Sequence, residues 1–180
     1  HVAPGVLCPR PDTEILCEEA LGRLKPGARV LDIGTGSGAI AVSLAKLGKG
    51  VHVTAVDISD TALRVASGNA QQNGANVRFV KSDCFAALAG KKFDLIVSNP
   101  PYIGTDEMPS LEPELNYEPR AALTDEGDGL SLYDAILRNY RNHLTETGTM
   151  IFEHGWKQSE SVLRIAAQYG MTGEVIRDFG

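Results

Sequence analysis

Short, nearly continuous apolar runs alternate along the chain with longer stretches of helical character. Arg29–Ile33 (RVLDI) and Phe93–Ser98 (FDLIVS) read as strands buried on both faces, as a parallel sheet requires. Val51–Asp57, Val77–Val80 and Thr149–Glu153 read as further strands, and Thr172–Arg177 as one more. A helix is expected after the Gly34–Gly38 turn, running through Leu47. A second runs from an N-cap at Ser59 to about Asn73, where Gly74 stops it. Two more are expected at Leu130–Leu144 and Trp156–Tyr169, the latter closed by Gly170. This order predicts an α/β domain: a mostly parallel twisted sheet with helices on both faces, of Rossmann-like type.

Pro100–Gly129 breaks the pattern, being rich in proline and poor in periodicity. A loop of that length in a compact domain is usually functional. It leaves the fourth strand at the edge where open α/β sheets bind ligands, so it is expected to face substrate.

The 180 residues fit one domain, with 43% hydrophobic and 22% charged residues. No stretch approaches the roughly 18–20 apolar residues of a membrane span. The opening, proline-rich and without Met, suggests a piece of a longer chain. Cys8, Cys17 and Cys84 form no CxxC pair or Cys/His ladder, so neither a disulfide framework nor a metal site is expected. A reducing cytoplasm is the simplest compartment. The net charge of −6 argues against a chain that grips nucleic acid by itself.

The first chemical signal is Asp32-Ile33-Gly34-Thr35-Gly36-Ser37-Gly38, placed between a strand and a helix. Glycines there permit a tight turn and close approach of a ligand. Asp57 ends the next strand, placed to accept hydrogen bonds from ribose hydroxyls. Gly34, Gly36 and Ala39 also satisfy a dinucleotide fingerprint, which leaves a nicotinamide-dependent oxidoreductase open. Three details favour S-adenosylmethionine instead. Asp32 suits a cation better than a pyrophosphate, the third glycine falls at position 38, and Ser82-Asp83 offers a partner for an adenine amine.

The second signal is Asn99-Pro100-Pro101-Tyr102, directly after FDLIVS. The proline that follows holds Asn99 extended, and two prolines leave nearby carbonyls without internal donors. The Asn99 side-chain oxygen and the Pro100 carbonyl could accept both hydrogens of a planar –NH2 group, with Tyr102 as a flat platform. Such acceptors orient a poorly nucleophilic nitrogen toward an activated methyl, so Asn99 and Pro100 are the candidate catalytic groups. On this reading alone, amide and nucleobase amine substrates are equally open.

Pro9-Arg10-Pro11-Asp12-Thr13-Glu14, LDIGTGSGAIA, AVD at 55–57, SNPPYI at 98–103 and Glu153-His154-Gly155 together resemble the bacterial glutamine methyltransferases of peptide chain release factors. Glu118-Pro119 and Ala122-Leu123 belong to the same resemblance. It implies a class I S-adenosylmethionine-dependent methyltransferase that methylates the glutamine of a Gly-Gly-Gln motif and yields S-adenosylhomocysteine. It places Gly34, Thr35, Gly36, Ser37, Gly38 and Asp57 against the cofactor, Asp83 and Cys84 beside its adenine, and Asn99, also near the cofactor, with Pro100, Pro101 and Tyr102 around the glutamine. Cys84 stands where the family often has an aromatic residue. The resemblance further implies that residues 1–180 are the catalytic domain, without the family's helical N-terminal docking domain and with the last strand cut short. A release factor is then the partner, no membrane or direct nucleic-acid grip is expected, and a monomer is favoured. A nucleic-acid adenine or guanine methyltransferase remains the alternative.

Among the other residues, Arg10 could anchor a loop or face the cofactor, and Glu153 and His154 read as structural. Trp156 is expected to pack beneath the last helix, and His1, His52 and His143 to lie at the surface. Asp106, Glu107, Glu112, Glu114 and Glu118 make the long loop acidic, either as a solvated loop or as a face for a basic partner.

Overall fold

In β1 (Arg29–Ile33) and β4 (Phe93–Ser98) nearly every side chain is buried, whichever face it points to. The computed structural model describes residues 1–111, 115 and 117–177. With β2 (His52–Asp57), β3 (Val77–Lys81) and β5 (Leu144–Phe152), these strands form one sheet in the order β3-β2-β1-β4-β5, every pair parallel. Strand alternation sends Val30, Val53, Ala55, Leu95 and Val97 to one face. There they meet Leu16 and Ala20 of α1 (Asp12–Arg23) and Ile40, Ala41 and Leu44 of α2 (Ala39–Leu47). Leu31, Ile33, Val56 and Ile96 take the other face, against Phe85, Leu88 and Ile136 of α5 (Ser131–Asn139). A third helix, α3 (Asp60–Asn73), begins at Ser59, whose side chain accepts from the Ala62 N–H, and ends at left-handed Gly74. After β3 the chain crosses back to β4, so β1 and β4 are neighbours whose connections depart in opposite directions. That is the switch point at which open α/β sheets hold ligands. No helix among the described residues is long and apolar enough to cross a membrane.

Several elements differ from expectation. Helix α1 was not foreseen. Its signal is faint but present: Thr13, Leu16 and Ala20 recur at helical spacing and are buried, behind Pro11 at the start and with Asp12 and Glu14 in the first turn. The helix expected over 130–144 stops at Asn139, and a 3-10 turn (Tyr140–Asn142) leads into β5. Leu144 belongs to the strand because it pairs with Phe93, and ladder pairing outweighs the helical look of the segment. Thr172–Arg177 forms no strand. Among the described residues it pairs with no neighbouring strand, and Glu174 meets Arg23 of α1 instead.

Pro100–Gly129 is not structureless. It contains a 3-10 turn at Met108–Ser110 and a short α4 (Arg120–Leu123). It is tied across itself by Ile103 N–H to Leu123 O and Thr105 N–H to Gly127 O. Asp125 fastens its end, accepting from the N–H groups of Gly127, Gly129 and Ser131, each at 2.9 Å. Positions 112–114 and 116 of this loop, which include Glu112 and Glu114, lie outside the described residues. Trp156 is 83% exposed rather than packed under α6 (Ser159–Gln168), whose buried contact to α5 is made by Val162. His143 is buried, not at the surface: its ring stacks on Phe85 at 4.3 Å and Nδ1 meets Lys91 O at 3.0 Å.

Candidate active site

A cleft of about 350 Å3 opens at the carboxyl ends of β1, β2 and β4. The β1–α2 turn supplies Gly34, Thr35, Gly36 and Ser37 to it, and the end of β2 supplies Asp57. The turn is held from both sides. Gly34 and Thr35 donate their N–H groups to Val56 O, and Gly36 N–H donates to Asp57 Oδ2 at 2.9 Å. Asp57 Oδ1 takes the Ser59 N–H at 2.9 Å, which leaves further lone pairs of the same carboxylate for a ligand. A Cβ built on Gly34 or Gly36 would meet no protein atom within 4 Å. Asp83 and Cys84 line the same cleft, Cys84 at φ 43° and its thiol pushed up to about 12 by burial.

Two members of the glycine motif do something other than line the cleft. Gly38 is the N-cap of α2 at φ 81°, and a Cβ there would stand 2.9 Å from Ala66 Cβ. Its lack of a side chain lets α3 approach, and it does not border the cleft. Asp32 is wholly buried beneath the turn and accepts from Thr35 Oγ1 at 2.6 Å. It does not line the cleft, so its contribution is to hold the loop and to place a desolvated carboxyl, raised to about 7, behind it.

At the other side of the cleft stand Asn99 and Pro101. The register Ser98↔Phe152 continues for one more residue, since Glu153 N–H donates to Ser98 O at 3.0 Å. Asn99 and Glu153 therefore leave adjacent strands side by side. Asn99 Nδ2 donates to Thr13 Oγ1 at 3.3 Å, and Thr13 donates to Glu153 Oε2 at 2.7 Å. Tyr102 OH donates to the other carboxylate oxygen, Oε1, at 3.3 Å, and Tyr133 OH to the Glu153 carbonyl at 2.7 Å. Burial pushes the Glu153 carboxyl above its ordinary range and the Tyr102 phenol up to about 12.

Pro100, expected at the substrate, does not border the cleft: its ring is packed into the protein and fully buried, and no hydrogen bond of the described residues ends on its carbonyl. The Tyr102 ring packs against the α5–α6 cluster and does not border the cleft, and its carbonyl accepts from Gln158 Nε2 at 2.8 Å. Arg10 reaches Glu118 Oε1 at 2.7 Å, tying the segment before α1 to the long loop across the cleft mouth. Glu153, read from the sequence as structural, and Thr13, noted only as part of the segment before the glycine turn, join this site through contacts the sequence did not predict. Their signal is the register of β4 with β5, which only the assembled sheet shows.

The parallel sheet, the glycine turn and the two-sided cleft at its switch point define a Rossmann-like domain with the class I methyltransferase fold. The chain belongs to the methyltransferase small domain family, which matches residues 11–144. Among similar proteins, the release factor glutamine methyltransferase of Bordetella pertussis is 49% identical over 175 residues, covering 94% of this chain and 64% of that protein. Those of Bacillus subtilis and Escherichia coli are 44% and 42% identical, over 98% and 99% of this chain and 65% and 66% of theirs. The chain thus spans about 65% of the length of these curated relatives. Among solved structures, a ribosomal protein L11 methylase from Lactobacillus delbrueckii subsp. bulgaricus is 27% identical. It superposes with a TM-score of 0.67 over 93% of this chain and 73% of its own. A methyltransferase from Pyrococcus furiosus, 22% identical, shares the fold with a TM-score of 0.71 over 94% and 77%.

Proposed function

We propose that the protein transfers a methyl group from S-adenosylmethionine to the side-chain amide nitrogen of a glutamine in a peptide chain release factor, in the cytoplasm. The observation that carries this reading is Asn99 at the edge of the cleft. There the Asn99 side-chain amide, its Nδ2 held by Thr13, stands across the cleft from the glycine turn and Asp57, and Pro100 follows it in the chain with a carbonyl that no described donor claims. The relatives named above share this substrate by name, and the match runs through both halves of the site.

The cleft's own charges favour a sulfonium over a dinucleotide. Asp57, Asp83 and Asp125 border it, and Arg10, its only Lys or Arg among the described residues, is paired with Glu118. A pyrophosphate there would meet carboxylates without a free cation. Gly34–Ser37, Asp57, Asp83 and Cys84 would hold the cofactor, which supplies an activated methyl when bound. Asn99 Oδ1 and the Pro100 carbonyl would each accept one N–H of the glutamine amide, fixing the nitrogen lone pair toward the methyl. They would also stabilise the positive charge that develops on nitrogen. As the new N–C bond forms and the S–C bond breaks, the nitrogen becomes acidic and its extra proton leaves to water. No strong base is needed.

The test is transfer of labelled methyl from S-adenosylmethionine to a purified release factor. Label is expected on the Gly-Gly-Gln glutamine and should vanish when that glutamine is replaced by alanine. Label that persists, or transfer to duplex DNA or ribosomal RNA instead, would overturn the substrate. Binding of NADH without binding of S-adenosylhomocysteine would overturn the cofactor. On the cofactor side, Asp57→Ala removes the acceptor of the Gly36 and Ser59 N–H groups together with the ribose partner. Charged hydrogen bonds contribute about 1.5–3 kcal/mol each, so the Kd for S-adenosylhomocysteine by calorimetry should rise on the order of 10–100-fold.

A further inference from the structure

We infer that the Glu153 carboxylate, facing the Asn99 amide directly and linked to it through the Thr13 hydroxyl, sets the direction in which that amide faces, with Oδ1 toward the cleft. This rests on the reading of Asn99 as an acceptor for the substrate nitrogen. An asparagine amide has two ends of nearly equal shape, and only its partners decide which end faces the ligand. Here the choice is forced by counting hydrogens. Ionised Glu153 can only accept, so Thr13, 2.7 Å from Oε2, spends its single hydroxyl proton on it. Thr13 Oγ1 can then only accept from Asn99, so Asn99 turns Nδ2 inward, at 3.3 Å. The acceptor end is left for the cleft. Tyr102 uses Oε1, the other oxygen of the same carboxylate. Thr13 is 6% exposed, so water does not easily substitute for either link. Glu153 does not border the cleft, and Thr13 borders it with its hydroxyl taken up by Glu153 and Asn99. They are positioning residues.

The groups facing Glu153 are Asp12, Thr13 and Cys17 from α1, Asn99 and Tyr102 from the turn after β4, and Tyr133 from α5. None is a cation. Burial, with Asp12 adding to it, therefore makes its carboxyl protonate at higher pH than an ordinary glutamate, against the opposing pull of its hydrogen bonds from Thr13, Tyr102 and Asn99. Protonated Glu153 no longer compels Thr13 to donate, and the direction of Asn99 is released. The folded state favours that protonated form, so the stability this group contributes is present at low pH and lost as pH rises through the raised pKa. An acid limb in kcat assigned to Glu153 would thus not be a limb of unfolding.

The experiment measures kcat, S-adenosylhomocysteine affinity and the Asn99 side-chain amide resonances in Thr13→Val, Glu153→Met, the double variant and Thr13→Ser. Thr13→Val and Glu153→Met should each lower kcat on the order of 10–100-fold, the scale of a small misplacement at a reacting centre. Glu153→Met should leave the S-adenosylhomocysteine Kd within about twofold and abolish the acid limb, and Thr13→Ser should restore kcat. The double variant should fall no further than the worse single one, because both break the same chain. Additive losses, or kcat within twofold of wild type in Thr13→Val or Glu153→Met, would overturn the inference. If the wild type methylates no glutamine, the substrate reading fails. Slow solvent exchange of the Asn99 Nδ2 protons, lost in Thr13→Val, would still support the inference, and exchange unchanged in that variant would overturn it.

Discussion

Replacing Asn99 by alanine is expected to lower kcat for glutamine methylation on the order of 10²–10³-fold, about 2.7–4 kcal/mol of transition-state stabilisation. The size follows from what Asn99 is placed to do. It stands at the end of β4, in a stretch of sheet where Ser98 Oγ is fixed to Ile33 O at 2.7 Å and Glu153 N–H to Ser98 O. Its carbonyl end therefore cannot drift with a loop. An acceptor preorganised in this way stabilises a nitrogen that becomes positive, and it stabilises the neutral amide less. The loss should appear in kcat and kcat/KM together. The Gly36–Asp57 side of the cleft is untouched by the change, so the Kd for S-adenosylhomocysteine should stay within a few-fold. A collapse of cofactor affinity would move Asn99 to the cofactor side of the cleft.

Asn99 was legible in the sequence because its neighbours announce it: a strand runs into two prolines, and the strand's end must lie at the sheet edge. The glycine turn was legible for the same reason, local chain geometry. What the sequence hid depends on contacts between distant segments. Thr13 reaches Glu153 across 140 positions, and Arg10 reaches Glu118 across 108. Gly38 looked like one more cofactor glycine until α3 was seen to press Ala66 against it. Asp32 has the residue type of a ligand contact, yet strand alternation turns it beneath the loop, where Thr35 claims it. Tyr102 looked like a stacking platform, but its ring packs against the α5–α6 cluster and does not border the cleft. His143 and Trp156 exchanged expected places, the histidine taking the buried stack and the indole the surface. Residue type sets what a side chain can do, and packing decides whether it faces the ligand.

The long loop carries a second large expected effect, through Gly129→Ala. Gly129 has φ 76°, and a Cβ there would stand 2.1 Å from Tyr102 O, 2.5 Å from Tyr102 C and 2.9 Å from Gln158 Nε2. The left-handed conformation costs an alanine about 1–2 kcal/mol, and the overlap with backbone adds about 1–3 kcal/mol. At about 2–4 °C per kcal/mol for a domain of this size, Tm should fall by roughly 5–15 °C. Gly68→Ala, within α3 and with nothing within 4 Å of its Cβ, should instead be neutral or add about 0.5–1 kcal/mol. The two substitutions add the same methyl group, so the contrast isolates the approach of Gly129 to Tyr102. The atom that must yield is the carbonyl that Gln158 Nε2 holds at 2.8 Å, two peptide bonds beyond the Pro100 carbonyl proposed to orient the substrate. Activity measured well below the new Tm should therefore also fall, by about 10-fold or more, as expected for a displaced positioning group. A variant with lowered Tm but undiminished kcat would show that the turn around Pro100 absorbs the shift without moving its acceptors.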